Sequence, residues 1–154
     1  VISLVPLDPD AMASWLAAET AGYVDELVAS GEDRRAAERQ ADGQLSRLFP
    51  GGRPAPDQFV FTIIEDGSAV GTLWIGSALD GPPGHWWVWS IAIDAGARGR
   101  GIGGAAMQLG EDEARRHGAT QIGLNVFGSN TVARRLYQRL GYEEAAVRMR
   151  KVLE

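Results

Sequence analysis

Two arginines, Arg98 and Arg100, stand among four glycines in the run ARGRGIGGAAM, residues 97–107. A helix-like pattern begins just after them, at Ile102. The first amides of a helix have no partner within it, and with the helix dipole they attract anions. Gly99, Gly101, Gly103 and Gly104 leave that backbone bare, so a pyrophosphate could approach it closely. Glycine also takes the positive φ angles that turn successive N–H groups inward as a nest. Arg98 and Arg100 can add charge-assisted hydrogen bonds. The chemistry suggested is a pyrophosphate cradle, and the competing reading is a tight turn whose glycines serve close packing.

The elements around this run must position it. ISLVPL reads as a first strand, stopped by Pro6 and Pro9. Residues 10–30 read as one or two short helices, and EDRRAAERQADGQLSRLF as another, weakened by Gly43. QFVFTIIE and AVGTLWIGSA form a hairpin about Asp66-Gly67-Ser68. HWWVWSIAID is apolar on both faces and reads as a central strand leading into the glycine run. A helix follows from Ile102 to His117, then the strand QIGLNV, a turn FGSN and a helix over 131–140 with Asn130 as its N-cap. AVRMRKVL reads as a closing strand. The order β, helices, β-β-β, α, β, α, β defines a mixed α/β, or α+β, class.

The 154 residues fit one domain, 1–154, with a sizeable core. There is no cysteine, which excludes disulfides and thiolate metal sites, and two histidines are too few for a histidine-rich one, so no metal is expected. No apolar run has the length of a membrane span, and VISLVPLDPD carries neither a basic region nor a cleavage site. A cytoplasmic location is the expectation. Residues 1–97 carry 14 acids and 5 bases, whereas residues 98–154 carry 6 acids and 10 bases. The basic half suits an anionic ligand and the acidic half a cationic one, although solvated helix faces would give the same counts. A nucleic-acid partner is disfavoured, because the domain as a whole is acidic.

A Walker-type loop needs Gly-Lys-Ser/Thr, which is absent. A dinucleotide fingerprint is present as Gly99-x-Gly101-x-x-Gly104, but AGAR intervenes between Asp94 and the glycines, and QIGLNV ends without the acid that would bind ribose. Arg98-x-x-Gly101-x-Gly103 resembles instead the acyl-CoA loop, (Gln/Arg)-x-x-Gly-x-(Gly/Ala), of GNAT-type N-acetyltransferases. A second block, LNVFGSNTVARRLYQRLGY, resembles that family's later segment through Asn130, Ala133, Tyr137, Gly141 and Tyr142. The resemblance is specific over about residues 58–152 and loose before them.

The resemblance implies a central, mostly antiparallel twisted sheet of about six or seven strands, flanked by about four helices and splayed where acyl-CoA binds. It implies acetyl-CoA as acyl donor, with the pantetheine arm on the backbone of Ile91, Ala92 and Ile93. The pyrophosphate would lie on Arg98, Gly99, Arg100, Gly101, Ile102, Gly103 and Gly104, and Asn130 would be either a cap or a CoA contact. Tyr137 would be the general acid for the departing thiolate; a phenol of pKa ~10 can donate to it at neutral pH. Direct attack by an amine is implied, and a homodimer is allowed. A non-catalytic acyl-CoA-binding module on the same fold is the alternative.

An alkylamine of pKa ~10.4 is only about 0.04% neutral at pH 7, so a base is needed. Many relatives carry a glutamate on the fourth strand; this strand has Trp87, Trp89 and Ser90 there. Glu65, Glu19, Glu26 and His85 are unranked candidates, and Asn125 could hold a water or the acceptor. Trp74, Trp86, Trp87 and Trp89 serve either the core or an aromatic wall for a cationic acceptor. Strand alternation puts Trp87 and Trp89 on one face and Trp86 on the other.

Overall fold

The computed structural model describes residues 1–154. Five strands form one sheet in the order β1 (Ile2–Pro6), β2 (Gln58–Glu65), β3 (Ser68–Ser77), β4 (His85–Ile93) and β5 (Gln121–Gly123). The first three pairings are antiparallel and the last is parallel. Four α-helices flank it: α1 (Met12–Ala29), α2 (Arg34–Leu48), α3 (Ile102–Arg116) and α4 (Thr131–Arg139).

The expected mixed, mostly antiparallel sheet and four helices are present, but the sheet has five strands and not six or seven. QIGLNV is a strand only over its first three residues. AVRMRKVL, expected to close the sheet, is irregular, and its Val147, Met149, Val152 and Leu153 are exposed. Its alternating pattern is that of a strand, but it pairs with no strand of the sheet, and alternation alone does not choose a partner. Residues 10–30 form one 18-residue helix after a 3-10 turn.

The β2–β3 turn has positive φ at both Asp66 and Gly67, the backbone twist that a two-residue hairpin requires. Alternation along the strands separates two cores. Phe61, Ile63, Leu73, Ile75, Trp86 and Val88 face α3, where Ile102, Ala106 and Met107 meet them. Val60 and Trp74 face the opposite way, onto Ala37, Ala41, Leu45 and Leu48 of α2 and Val24 and Leu27 of α1. The sheet is thus the middle of three layers.

One irregularity in β4 decides the faces of everything after it. Trp74 pairs with Ser90, but Ile75 pairs with Val88, so Trp89 is an extra residue, a β-bulge. Before the bulge, Trp86 and Val88 face α3. Simple alternation would send Ser90 to the same face and Ile91 to the other. The bulge reverses this: Ile91 and Ile93 pack on the α3 side, and Ser90 turns with Trp89 toward α1.

Candidate active site

Strand β4 pairs with β3 almost throughout, but with β5 only at His85, Trp86 and Trp87. Beyond Gly123 the chain leaves the sheet, and the other edge of β4 from Val88 to Ile93 lies open. The bond from Asp94 N to Val70 O sets the phase of the β3–β4 ladder. Residues alternate in direction, so Ala92 and Ser90 also address β3, and Ile91 and Ile93 address the open edge. Arg98 agrees with that phase, since its Nε donates to Ile93 O at 2.9 Å.

The glycine run follows this edge after a 3-10 turn, Ala95–Ala97, and Arg98 ties the two together through its bond to Ile93 O. Gly99 and Gly101 have φ of 79° and 77°, and Arg98 between strand and loop is extended. The first bond of α3 runs from Ala105 N to Gly101 O at 3.2 Å. No amide from Gly99 to Gly104 donates to an acceptor in the chain, so six successive N–H groups are free at the positive end of a 15-residue helix. A Cβ at Gly99 or Gly101 would meet nothing within 4 Å, and at Gly103 or Gly104 the nearest atom is a Leu136 methyl at 3.6 Å, ordinary contact. Close packing of the chain on itself is therefore not what these four glycines serve. Gly110 shows the contrast, since a Cβ there would lie 2.8 Å from Leu73 Cδ2. Arg100 reaches back to Glu65 at 3.0 Å across the rim of this loop.

Helix α4 packs against the first turn of α3 through Leu136, and Tyr137 follows on the same side, half-buried against the α3-side core. Its ring lies 6.0 Å from that of Tyr142, whose hydroxyl donates to Glu111 Oε2 at 2.9 Å and so ties the end of α4 to α3. Burial raises the Tyr137 phenol above its ordinary value, and the negative charge of Glu26 adds to the rise. The phenol is thus fully protonated at neutral pH. Asn130 caps α4, its Oδ1 accepting from Ala133 N at 3.2 Å. That is the cap half of the two roles expected of it.

The remaining candidates separate by position. Glu65 is engaged by Arg100. His85 lies at the paired end of β4, six residues or about 20 Å along the strand from Ile91. Asn125 is exposed beyond β5. Glu19 is different: its Oε1 accepts a 2.6 Å hydrogen bond from Ser90 Oγ, next to Ile91 on the open edge. Burial raises the Glu19 carboxyl above its ordinary 4.5; the Ser90 bond opposes this and the charge of Glu26 adds to it. Glu26, two helical turns further along α1, is also raised by burial.

The tryptophans divide as alternation predicts. Trp86 is buried on the α3 side, 5.9 Å from Phe59. Trp74, Trp87 and Trp89 lie on the α1 side, where Trp74 stacks on Trp89 at 5.5 Å and meets Trp15 at 5.6 Å. Trp74 is core, its Nε1 bonded to Gln58. Trp89 is partly exposed, and its Nε1 is buried without an acceptor. The sequence gives no sign of the bulge that brings Ser90 to Glu19. HWWVWSIAI is apolar on both faces, so its pattern carries no phase to break.

The open edge of β4, the free amides before α3 and the protonated Tyr137 on α4 make up the candidate site. The model of the acetyltransferase (GNAT) family matches residues 13–142, and the chain belongs to that family. It is 28% identical over 157 residues to the uncharacterized N-acetyltransferase YycN of Bacillus subtilis, with 99% of each chain covered. The crystal structure of YycN superposes with a TM-score of 0.88 at 27% identity, covering 100% of this chain and 99% of the other. A second Bacillus subtilis relative, the uncharacterized N-acetyltransferase YdgE, is 30% identical over 74% of this chain and 73% of its own. An aminoglycoside N-acetyltransferase solved in complex with CoA shares the fold at 18% identity, with a TM-score of 0.60 over 98% of this chain and 95% of that one. No helix is long and apolar enough to cross a membrane.

Proposed function

We propose that the chain is an acetyl-CoA-dependent N-acetyltransferase that moves an acetyl group to an amine by direct attack. The observation that carries this reading is the continuity of the open β4 edge with the six free amides of Gly99 to Gly104. Backbone groups of Ile91 and Ile93 suit the amide-bearing pantetheine arm, and the loop from Arg98 to Gly104 suits its pyrophosphate. Ala92 and Ile102 hold this backbone in the strand and in the helix start. Free N–H at Ile91 can polarise the thioester carbonyl as negative charge develops on its oxygen. Tyr137 protonates the leaving sulfur; its raised pKa keeps it in the donor form at pH 7.

The acceptor side is assigned to the face of β4 turned to α1. Glu19, Glu26, Trp87 and Trp89 give it carboxylates and aromatic faces, which favour an amine carrying positive charge. Small-molecule amines and peptide N-termini both fit that description. A non-catalytic acyl-CoA-binding module would keep the cradle but have no use for a half-buried, protonated phenol on α4. Thiol release from acetyl-CoA in the presence of primary amines tests the transfer. Tyr137→Phe should then lower turnover while the dissociation constant for CoA is retained. Unchanged turnover would remove Tyr137 from the chemistry.

A further inference from the structure

Strand β4 carries no carboxylate, yet an ammonium acceptor must lose a proton before its nitrogen can attack. The fold brings one in from another element. Glu19 lies on α1, between Trp15 one turn before it and Tyr23 one turn after it, on the face turned to the sheet. The bulge at Trp89 turns Ser90 to that face, and Ser90 fixes the carboxylate at 2.6 Å. Without the bulge, Ser90 would face α3 and could not reach α1.

We propose that Glu19 is the general base of this site, delivered to β4 by Ser90 and acting on the acceptor ammonium next to the backbone of Ile91. This rests on the transferase reading above. The proton balance closes with the groups present. One ammonium proton passes to Glu19 and from there to solvent. The freed nitrogen pair forms the C–N bond as the C–S bond breaks, and Tyr137 gives its proton to sulfur. The second proton lost by the nitrogen restores Tyr137. One proton is released for each acetyl group moved.

Two groups act on the Glu19 carboxyl, Ser90 from β4 and Glu26 from its own helix, and the charge of Glu26 also reaches Tyr137 on α4. Ser90 favours the ionised form and Glu26 the protonated form. Burial holds the carboxyl above its ordinary range, which makes it a stronger proton acceptor than an exposed glutamate.

The competing role is structural: the same hydrogen bond could simply pin α1 to the sheet. Glu19→Gln separates the two, because glutamine still accepts from Ser90 through its amide oxygen but cannot take the proton. The assay is thiol release from acetyl-CoA with 1,4-diaminobutane, lysine methyl ester and a short peptide with a free N-terminus, from about pH 5.5 to about pH 9. Glu19→Gln should lower kcat/KM about 100-fold or more and leave the CoA dissociation constant within about twofold. Ser90→Ala should move the acidic limb of the profile to higher pH, since the lost bond had favoured the ionised base. A Glu19→Gln enzyme within about threefold of wild type, with the limb unmoved, overturns the proposal. A loss seen in Glu26→Gln but not in Glu19→Gln also overturns it and gives the role to Glu26. If the wild-type chain binds CoA but acetylates none of the three amines, the transferase reading fails first, and the base with it.

Discussion

Gly101→Ala separates what the glycine loop does for the fold from what it does for a ligand. Gly101 is the N-cap of α3 and has φ of 77°, in the left-handed region. An alanine held there costs about 1–2 kcal/mol. No steric term is added, because a Cβ at this position meets no atom within 4 Å. For a chain of this size each kcal/mol lowers the midpoint by about 2–4 °C, so the loss should be about 2–8 °C. The effect on binding is larger and has a different cause. A loop that relaxes toward negative φ turns its amides away from their common focus, and each charge-assisted bond to phosphate is worth about 1.5–3 kcal/mol. Loss of one such bond weakens CoA about tenfold or more. Calorimetric titration of CoA, done well below both midpoints, measures this without interference from unfolding. If Gly101→Ala melted earlier as expected yet bound CoA as tightly as wild type, the loop would be only a turn.

Gly22 and Gly43 lie inside α1 and α2 with nothing within 4 Å of an added Cβ, so alanine at either should raise stability by about 0.5–1 kcal/mol, read as a higher urea midpoint. Gly110→Ala should do the reverse, by about 1–3 kcal/mol, because its Cβ would crowd Leu73 in the core. Tyr137→Phe should reduce turnover about 100-fold while CoA binding persists, and parallel kinetics and titration decide it. Glu19 binds its proton more tightly folded than unfolded, so it lowers stability at neutral pH, and that loss is relieved as pH falls through its raised pKa toward 4.5. Glu19→Gln should accordingly melt higher than wild type at pH 7, with the difference shrinking as pH approaches 4.5; a lower midpoint at pH 7 would contradict this.

Turn chemistry and helix patterning made most elements legible in the sequence. The hairpin at Asp66-Gly67, the start of α3 at Ile102 and the cap at Asn130 all follow from local rules, and local rules act where the backbone has few choices. Where pairing partners decide, the pattern misleads. AVRMRKVL alternates like a strand but pairs with nothing, and QIGLNV stops at Gly123 because the sheet opens there. The loop Arg98 to Gly104 could be singled out because glycine and arginine are rare in such density beside an apolar strand. Glu19 could only be listed with Glu65, Glu26 and His85. What distinguishes it is a hydrogen bond across 71 residues, made through a bulge inside an apolar strand, and neither leaves a mark in composition or spacing.

Thermal unfolding of the chain with CoA, acetyl-CoA and NAD in parallel, each over a range of concentrations, shows which ligand the loop from Arg98 to Gly104 holds. A ligand at 100 times its dissociation constant adds about 2.7 kcal/mol, or about 5–11 °C for a chain of this length. CoA and acetyl-CoA should raise the midpoint with concentration, and NAD should leave it where it was. A midpoint raised by NAD alone, or by none of the three, would contradict the acyl-CoA reading of the loop.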